Sequence, residues 1–398
     1  MQTELAGFVR DSPQGREADA ILRKCVHCGF CLATCPTYQL LGDELDSPRG
    51  RIYLIKQALE GAPVTASTRL HLDRCLTCRS CETTCPSGVQ YGRLADIGRA
   101  VVEERVARGP WEGAKRAVLA FALPRRALFA SLLRLGRMFR FLFPGLVPAP
   151  APAAGAWPAP RHARRMLALA GCVQPALAPR INAAAARLLD RSGISLLEAP
   201  EAGCCGALRF HLNFQEQGRD DMRALIDVWW PYVQRGEVEA IVMTASGCGA
   251  TVKEYGHLLA HDAAYRDKAA RISDMTKDLG EVVQPVAGTG KGRVAFHSPC
   301  TLQHGQQIRG NIESLLAQSG YELTPVPDAH LCCGSAGTYS ILQPELSGQL
   351  RERKLAALQG GQPAAIATAN IGCLTHLGAA AEVPVRHWIE LLEEALQR

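Results

Sequence analysis

Two short runs of cysteines constrain the fold of this chain more than any other feature of its sequence. The first reads CVHCGFCLATCP from Cys25, and the second reads CLTCRSCETTCP from Cys75. Both have the spacing C-x2-C-x2-C-x3-C-P, which is typical of loops that hold cubane iron–sulfur clusters. A pair of structural zinc sites is the alternative, since paired CxxC motifs also bind zinc. Zinc gives no reason for two identical four-cysteine runs that each end in proline, so we expect iron–sulfur clusters.

The spacing also predicts which cysteines share a cluster. Three thiolates at three-residue spacing can surround one cluster, whereas the fourth, displaced by one residue, points away and completes the other cluster. One [4Fe–4S] cluster is therefore assigned to Cys25, Cys28, Cys31 and Cys85. The second [4Fe–4S] cluster is assigned to Cys75, Cys78, Cys81 and Cys35. His27 lies between two of these ligands, and we expect it to be a solvent-exposed loop residue rather than a hydrogen-bond donor to the cluster.

The segments around the two runs predict helices rather than strands. In SPRGRIYLIKQALEG, Ser47 followed by Pro48 marks a helix start. Apolar residues then recur at helical spacing until Gly61 ends the helix. Further helices are predicted over 16–24, 68–73 and 93–108. A compact βαβ ferredoxin would show strands and fewer residues between its runs, so we predict an all-helical two-cluster ferredoxin domain over residues 1–110.

Residues 111–146 differ from the rest of the chain because apolar residues alternate with cations and no acid follows Glu112. The cations are Lys115, Arg116, Arg125, Arg126, Arg134, Arg137 and Arg140. On a helix, one face would carry Leu128, Leu132, Leu135 and Phe139. Such a basic amphipathic stretch either lies on an anionic membrane surface or packs on a partner subunit or on the chain's own second half. The Pro/Ala-rich residues 147–163 predict a linker between domains.

Beyond the linker the chain repeats itself, over 164–290 and 291–398. Each copy contains a lone Cys, a Cys-Cys-Gly motif and a further Cys, and the same number of residues separates the first Cys from the pair in both copies. The cysteines of the first copy are Cys172, Cys204, Cys205 and Cys248. Those of the second are Cys300, Cys332, Cys333 and Cys373. Each site follows a short strand-like run, with helices between, so the sequence predicts two α/β domains with parallel sheets within a multidomain α+β protein.

The cysteines of each repeat are expected at the carboxyl ends of the strands, where open α/β sheets build their sites. Gly206 and Gly334 follow the cysteine pairs, and we expect the missing Cβ to let the backbone approach a bound group. Three interpretations compete: a further iron–sulfur centre, a zinc site, or free thiols buried as small apolar side chains. Free thiols explain neither the cysteine pair nor its glycine, and zinc would leave the repeats a structural role only. We therefore expect at least one additional redox-active centre.

Length and composition fit a multidomain protein of a reducing compartment. The chain has 398 residues, 47% of them hydrophobic, which is enough for two or three domains with buried cores. Its 16 cysteines fall in metal-type clusters rather than in scattered pairs. The sequence has no run of membrane-spanning length, no signal-peptide pattern and, with a net charge of +6, no nucleic-acid-binding footprint. We expect a cytoplasmic protein that could be peripheral on the cytoplasmic face of the inner membrane.

The combination of both cysteine runs with both repeats resembles the iron–sulfur subunits of glycolate oxidase (glycolate dehydrogenase). The resemblance rests on CVHCGFCLATCPTYQLLGDELDSPRGRIYLIKQ, RCLTCRSCETTCPSGV, EAGCCGA, TASGCGATVKEYG, HLCCGSAGTY, TANIGCLTHL and VRHWIE, and leaves out only the region near 110–160. The related heterodisulfide reductase subunit ends each repeat in C-x-x-C, but Thr251 and His376 stand at the last position here. A five-thiolate cluster is thereby excluded, whereas a four-ligand centre is not, and His376 could add a fifth ligand in the second repeat.

The resemblance implies an electron-transfer subunit of a flavin-dependent glycolate dehydrogenase complex, which oxidises glycolate to glyoxylate. FAD and the substrate chemistry would belong to partner subunits, and no residue of this chain is assigned a catalytic role. The chain would pass electrons singly through its clusters to a respiratory acceptor, for which quinone is expected. Iron–sulfur subunits of D-lactate, glycerol-3-phosphate or heterodisulfide reductase-type complexes share these modules and are the alternative. A ferredoxin-like carrier working alone is disfavoured, because it would have no use for the repeats.

Overall fold

The computed structural model describes residues 1–141, 148, 150–285 and 287–397. The last part of the basic segment (142–146) and residues 147 and 149 of the predicted linker lie outside the described residues. Contacts along the chain divide it into two compact units. The first comprises Met1–Arg116 with His330–Lys354, and the second comprises Ala117–Ala329 with Leu355–Arg398.

Among its described residues, the N-terminal part of the first unit contains helices and no strand. The helices are α1 (Gly7–Arg10), α2 (Pro13–Lys24), α3 (Pro36–Leu41), α4 (Pro48–Leu59), α5 (Ala66–Asp73), α6 (Ser80–Thr84), α7 (Tyr91–Arg105) and α8 (Pro110–Ala122), which crosses into the second unit. Ser47 caps α4 as the sequence predicts, since its Oγ accepts a hydrogen bond from the Gly50 backbone N–H at 2.9 Å and Pro48 follows. Apolar residues of α2, α4 and α7 pack together as the core of this unit.

The helix predicted over 93–108 is shorter than expected at its C-terminal end. It ends at Arg105, because Val106 adopts an extended conformation, with φ of −121° and ψ of 107°, and the next helix, α8, begins at Pro110. The side chain of Arg69 donates hydrogen bonds to the released carbonyls of Val106, at 3.0 Å, and Ala107, at 2.7 Å. The break therefore leaves these backbone acceptors satisfied.

Two parallel sheets of four strands each lie in the second unit, which confirms the predicted fold class. The strands are β1 (Arg164–Ala168), β2 (Ile194–Glu198), β3 (Ala240–Met243), β4 (Thr276–Asp278), β5 (Arg293–His297), β6 (Glu322–Leu323), β7 (Ala365–Thr368) and β8 (Val385–His387). Their spatial orders are β2-β1-β3-β4 and β6-β5-β7-β8, so the two repeats share one topology. The sequence misses β4 and β8, because three-residue strands reading TKD and VRH are too short and too polar to show a period of two.

Helices connect the strands of both sheets. Those up to the end of the first sheet are α9 (Arg126–Met138), α10 (Gln174–Leu177), α11 (Arg180–Arg191), α12 (Ala207–His211), α13 (Gln215–Gln234), α14 (Ser246–Val252), α15 (Tyr255–Leu258), α16 (Arg266–Met275) and α17 (Leu279–Val282). Those around the second sheet are α18 (Asn311–Gln318), α19 (Tyr339–Leu342), α20 (Pro344–Gln359), α21 (Ile371–Gly378) and α22 (Trp388–Gln397), with a π-helical turn at Thr301–Gly305. A right-handed helical crossover is the usual way to join neighbouring parallel strands.

Alternate residues of the first sheet belong to two different apolar cores. Met166 and Val242 face a core shared with the second repeat, which includes the fully buried Trp388. Leu167 and Ile241 face the opposite side, where α13 contributes Trp229. The period of two along each strand therefore buries both faces, which is the condition under which parallel sheets occur. The segments that follow the strands carry the cysteines of the repeats, with Cys248 in α14 and Cys373 in α21.

Candidate metal centres

Both N-terminal cysteine runs form loops of the same backbone conformation. In each run the two residues that flank the second cysteine have positive φ: His27 at 55° and Gly29 at 85°, and Thr77 at 52° and Arg79 at 61°. Non-glycine residues adopt this region rarely, at a cost of about 1–3 kcal/mol each, and hold it where the surroundings demand it. The shared conformation indicates that the two loops are shaped for the same task.

The structure groups the eight thiols into two sets, each drawn from both runs. Cys85 of the second run lines a cavity together with the first three cysteines of the first run, Cys25, Cys28 and Cys31. Cys35 lines the neighbouring cavity together with Cys75, Cys78 and Cys81. Three residues, Pro48, Cys81 and Tyr91, line both cavities and so form the wall between them. With Cys81 at this wall, five thiols line the first cavity and four line the second, so the assignment of four ligands to each cluster stays a prediction.

The donors at both cavities fit iron–sulfur clusters. All eight cysteines are free thiols, and soft thiolates are the ligands that iron–sulfur clusters use. Burial raises the pKa of Cys25, and it raises the pKa of Cys31 to about 11. The pKa of Cys75, in contrast, lies below its usual value, because the positive charges of Arg51 and Arg99 outweigh the effect of burial. Metal binding must therefore displace protons at Cys25 and Cys31, whereas the two arginines favour the charged form of Cys75.

His27 differs from the solvent-exposed loop residue predicted for it. Its ring is half-buried, and the edge of the ring meets Tyr53 with centroids 6.5 Å apart. His27 lines the first cavity, and its Nε2 is buried without a hydrogen-bond partner among the described residues. Such an orphaned nitrogen at the rim of a thiol-lined cavity fits a group that accepts a hydrogen bond there. Sequence alone cannot give this placement, because Tyr53 lies on a separate helix, α4.

Arg51 is a buried cation beside the second cavity that sequence reasoning missed. Its side chain is 1% exposed, and Nη1 lies 3.9 Å from Cys35 Sγ and 3.0 Å from Thr37 Oγ1. Nη2 pairs with Asp46 at 3.1 Å, and Asp46 also pairs with Arg74 at 2.8 Å. A signal was present, because Arg51 precedes Ile55 and Leu59 at helical spacing and so interrupts the apolar face of α4.

The four cysteines of the first repeat meet at the carboxyl ends of three strands. Hydrogen-bond contacts connect Cys172 to Cys204, Cys204 to Cys205, and Cys205 to Cys248. These hydrogen bonds hold the pKa of Cys204 well below its usual value, with a smaller contribution from the Arg209 guanidinium. The same contacts raise the pKa values of Cys172 and Cys205. A chain of four sulfurs in successive contact, in which the pKa of Cys204 is lowered, offers donors to a thiophilic metal.

Packing alone requires a glycine at position 206, and the expected approach to a bound group stays a prediction. Its φ is +81°, and a Cβ at this position would lie 2.4 Å from the carbonyl oxygen of Gly218 on α13. Gly334 is similar, with φ of +90° and an added Cβ 2.7 Å from the carbonyl oxygen of Ser347. Both glycines therefore let a helix pack directly against the Cys-Cys-Gly turn.

The cysteines of the second repeat are divided between the two units. Cys300 and Cys373 belong to the second unit, and the Asn370 side-chain amide donates to Cys373 Sγ at 3.6 Å. Cys332 and Cys333 belong to the first unit, where the Gly334 backbone N–H donates to Cys332 Sγ at 3.4 Å. Cys300, Cys332, Cys333 and Cys373 are buried. Hydrogen bonds donated to the sulfurs of Cys332 and Cys373 stabilise the thiolate form of these side chains.

Comparison with known proteins agrees with the arrangement of modules. The 4Fe-4S dicluster domain matches residues 21–89, and the cysteine-rich domain matches residues 166–253 and 294–378. The glycolate oxidase iron-sulfur subunit of Escherichia coli is 55% identical over 407 residues, which cover 100% of both chains. The probable glycolate oxidase iron-sulfur subunit of Bacillus subtilis is 30% identical over 94% of both chains. Lactate utilization protein A of Anoxybacillus flavithermus is 26% identical over 53% of this chain and 92% of its own.

A dicluster domain followed by two cysteine-rich domains defines an iron–sulfur protein. With a relative 55% identical over its full length, the chain belongs to the family of glycolate oxidase iron–sulfur subunits, which confirms the resemblance seen in the sequence. It is therefore the iron–sulfur component of an oxidoreductase complex. Among the described residues, none of the helices combines the length and the apolar character needed to cross a bilayer.

Proposed function

We propose that this chain relays electrons in a flavin-dependent glycolate dehydrogenase complex, from FAD on a partner subunit to a respiratory acceptor, for which quinone is our candidate. The observation that carries the proposal is the pair of adjoining cavities, which all eight thiols of the two cysteine runs line, each cavity drawing on both runs and Cys81 lining both. The names of the related subunits from Escherichia coli and Bacillus subtilis support glycolate as the substrate of the complex. When bound, a [4Fe–4S] cluster in each cavity supplies a group that accepts and releases one electron.

In this proposal the residues of the chain hold, orient and shield the two centres. Cys25, Cys28, Cys31 and Cys85 bind one, and Cys35, Cys75, Cys78 and Cys81 bind the other. Pro36 follows Cys35 at the start of α3, so the fourth ligand leaves its loop in a fixed direction. Cys81 and Tyr91 stand between the two cavities, which keeps the path from one centre to the other short and dry.

Substrate-dependent dye reduction by the purified complex tests this proposal. With its flavoprotein partners present, the complex is expected to reduce a dye with glycolate at a rate at least tenfold above that with D-lactate or glycerol 3-phosphate, a margin of about 1.4 kcal/mol in transition-state stabilisation. Faster reduction with D-lactate or with glycerol 3-phosphate would instead favour the corresponding relatives. A chain that purifies without any flavoprotein would contradict the proposal altogether.

We also propose that the first repeat holds a further redox-active metal centre. Its support is the contact between the sulfurs of Cys172, Cys204, Cys205 and Cys248. Arg209 donates to Asp221 at 2.6 Å, and both lie close enough to Cys204 to act on the charge there. The equivalent cysteines of the second repeat, Cys300, Cys332, Cys333 and Cys373, are candidates for the same chemistry.

The basic segment supports a proposed attachment to the cytoplasmic membrane face. None of the described residues of α9 is buried, and Leu135 and Met138 are 51% and 63% exposed. Two arginines turn the other way: Arg126 donates to the Ala202 carbonyl at 3.2 Å, and Arg137 donates to the Ala176 carbonyl at 3.4 Å. The helix therefore presents apolar side chains outward, a surface that suits the boundary between lipid headgroups and acyl chains.

Attachment of this kind is expected to weaken as salt is raised, since anionic lipids attract the exposed cations electrostatically. Leu135→Glu together with Met138→Glu should cut the fraction bound to vesicles containing phosphatidylserine at least tenfold, as measured by co-sedimentation. The matched control is Arg235→Glu, which removes an exposed cation far along the chain. Equal binding to neutral and anionic vesicles, or none to either, would instead identify α9 as a contact for a partner subunit.

A further inference from the structure

The two cysteine sets have the same ligands but different electrostatic surroundings. Two cations lie near the Cys25 set: the amino-terminal ammonium of Met1, which donates to the Cys25 carbonyl at 2.8 Å, and Arg49, whose side chain is partly exposed and whose Nε lies 2.7 Å from Glu44. That pairing cancels much of the Arg49 charge, and solvent screens the rest. At the cavity of Cys35, in contrast, the nearby cation and hydroxyl groups are buried. The two centres should therefore differ in how readily they accept an electron.

Tyr91 is the first of these buried groups. It is the first residue of α7, its side chain is buried, and its hydroxyl donates to Cys75 Sγ at 3.5 Å. The ring lines both cavities, but the hydroxyl reaches a ligand of the Cys35 set only. A hydrogen bond to a ligand sulfur stabilises the more negative, reduced state of a cluster and so raises its reduction potential.

Arg51 is the second group, and its charge is fixed in a dry environment. Its guanidinium is held by the His71 carbonyl at 2.7 Å and by Asp46, and Nη1 lies 3.9 Å from Cys35 Sγ. Asp46 is shared with Arg74, so these three side chains together keep a net positive charge. Arg99 adds another cation, whose Nη2 donates to the Cys75 carbonyl at 2.7 Å. Charges at such distances act strongly where water is excluded.

We propose that Tyr91 and Arg51 raise the reduction potential of the centre held by Cys35, Cys75, Cys78 and Cys81 above that of the centre held by Cys25, Cys28, Cys31 and Cys85. The inference rests on the proposed two-cluster relay. Reduction adds one electron and one negative charge to a centre, and the Tyr91 proton stays on its hydroxyl, so both groups act by position alone. The more buried centre then receives the electron from its neighbour, which gives the relay a direction.

Redox titration of the intact complex, followed by electron paramagnetic resonance, tests the inference. Tyr91→Phe removes the hydrogen bond and keeps the ring, so it should shift the higher of the two cluster potentials to a more negative value and move the lower one by less. Tyr53→Phe is the matched control, because this half-exposed tyrosine lies against His27 near the other set. It should leave the higher potential where it is.

Arg51→Gln removes the charge and should, independently of Tyr91→Phe, shift the higher reduction potential to a more negative value. Arg51→Lys keeps the charge and should leave that potential close to its value in the unmodified complex. Unchanged potentials in both Tyr91→Phe and Arg51→Gln would overturn the inference, as would a shift confined to the lower potential. If Arg51→Gln does not fold, Tyr91→Phe alone decides. Absence of two [4Fe–4S] signals from the unmodified complex would instead count against the relay itself, so the two failures are distinguishable.

Discussion

Cys35→Ser and Cys75→Ser are expected to abolish or alter the same iron–sulfur centre, although these residues belong to different runs of the sequence. Cys25→Ser and Cys85→Ser should act together on the other centre. The expectation follows from the spacing of the cysteines and from the two cavities: Cys85 lines the cavity of Cys25, Cys35 lines the cavity of Cys75, and Cys81 lines both. Loss of a centre should lower the iron content by about four per chain, since a cubane holds four irons.

Spectra of the four variants decide how the cysteines are grouped. A serine hydroxyl is a poor ligand for a thiophilic cluster, so each substitution should leave one of the two paramagnetic signals and change the other. Val26→Ala is the matched control, since this residue lies in the same loop but is 69% exposed. If Cys25→Ser and Cys35→Ser affected one signal while Cys75→Ser and Cys85→Ser affected the other, each run would hold its own cluster and the crossed assignment would be wrong.

Iron analysis of anaerobically purified protein is expected to find about twelve irons per chain or more, and Cys205→Ser to remove about four of them. The physical reason is that Cys205 contacts both Cys204 and Cys248, so its loss breaks the chain of sulfurs in the middle. Gly203→Ala is the matched control, because an added Cβ there meets no atom within 4 Å. It should keep every iron.

Two results would contradict the centre proposed for the first repeat. About eight irons per chain with no zinc would leave only the two N-terminal clusters, four irons each. About one zinc per chain that Cys205→Ser removes would make the site structural, since zinc has no redox chemistry in proteins. Either result would leave the assignment of the eight N-terminal cysteines to two clusters unaffected, because those cysteines lie in other elements of the structure.

Local signals in the sequence predict most of the fold. The helix α4 follows from Ser47 and Pro48 at its start, and the repeats follow from cysteines in step after strand-like runs. These signals are local, because caps and hydrophobic periodicity act within a few residues. The strands β4 and β8 are not predicted in this way, because each has only three residues and forms by pairing with a neighbouring strand, β3 or β7.

The ligands of the candidate centres are also predictable, but their surroundings are not. Cysteine spacing carries the chemistry of the ligands directly, whereas Arg51 reaches Cys35 from a different helix, and Tyr91 reaches Cys75 from another. Gly206 shows the same limit: its sequence context suggests approach to a bound group, but the close neighbour is the backbone of α13. Contacts of this kind depend on tertiary packing, which no local pattern encodes.

The most direct test of the relay is to mix the oxidised complex with glycolate under anaerobic conditions, freeze it within one turnover, and record its paramagnetic resonance spectrum. Signals of reduced iron–sulfur centres are expected in the complex, and they should be lost when Cys35→Ser and Cys85→Ser are combined, while the partner flavin is still reduced. Reduction of the flavin by glycolate with both iron–sulfur centres of the unmodified complex remaining oxidised would contradict the account.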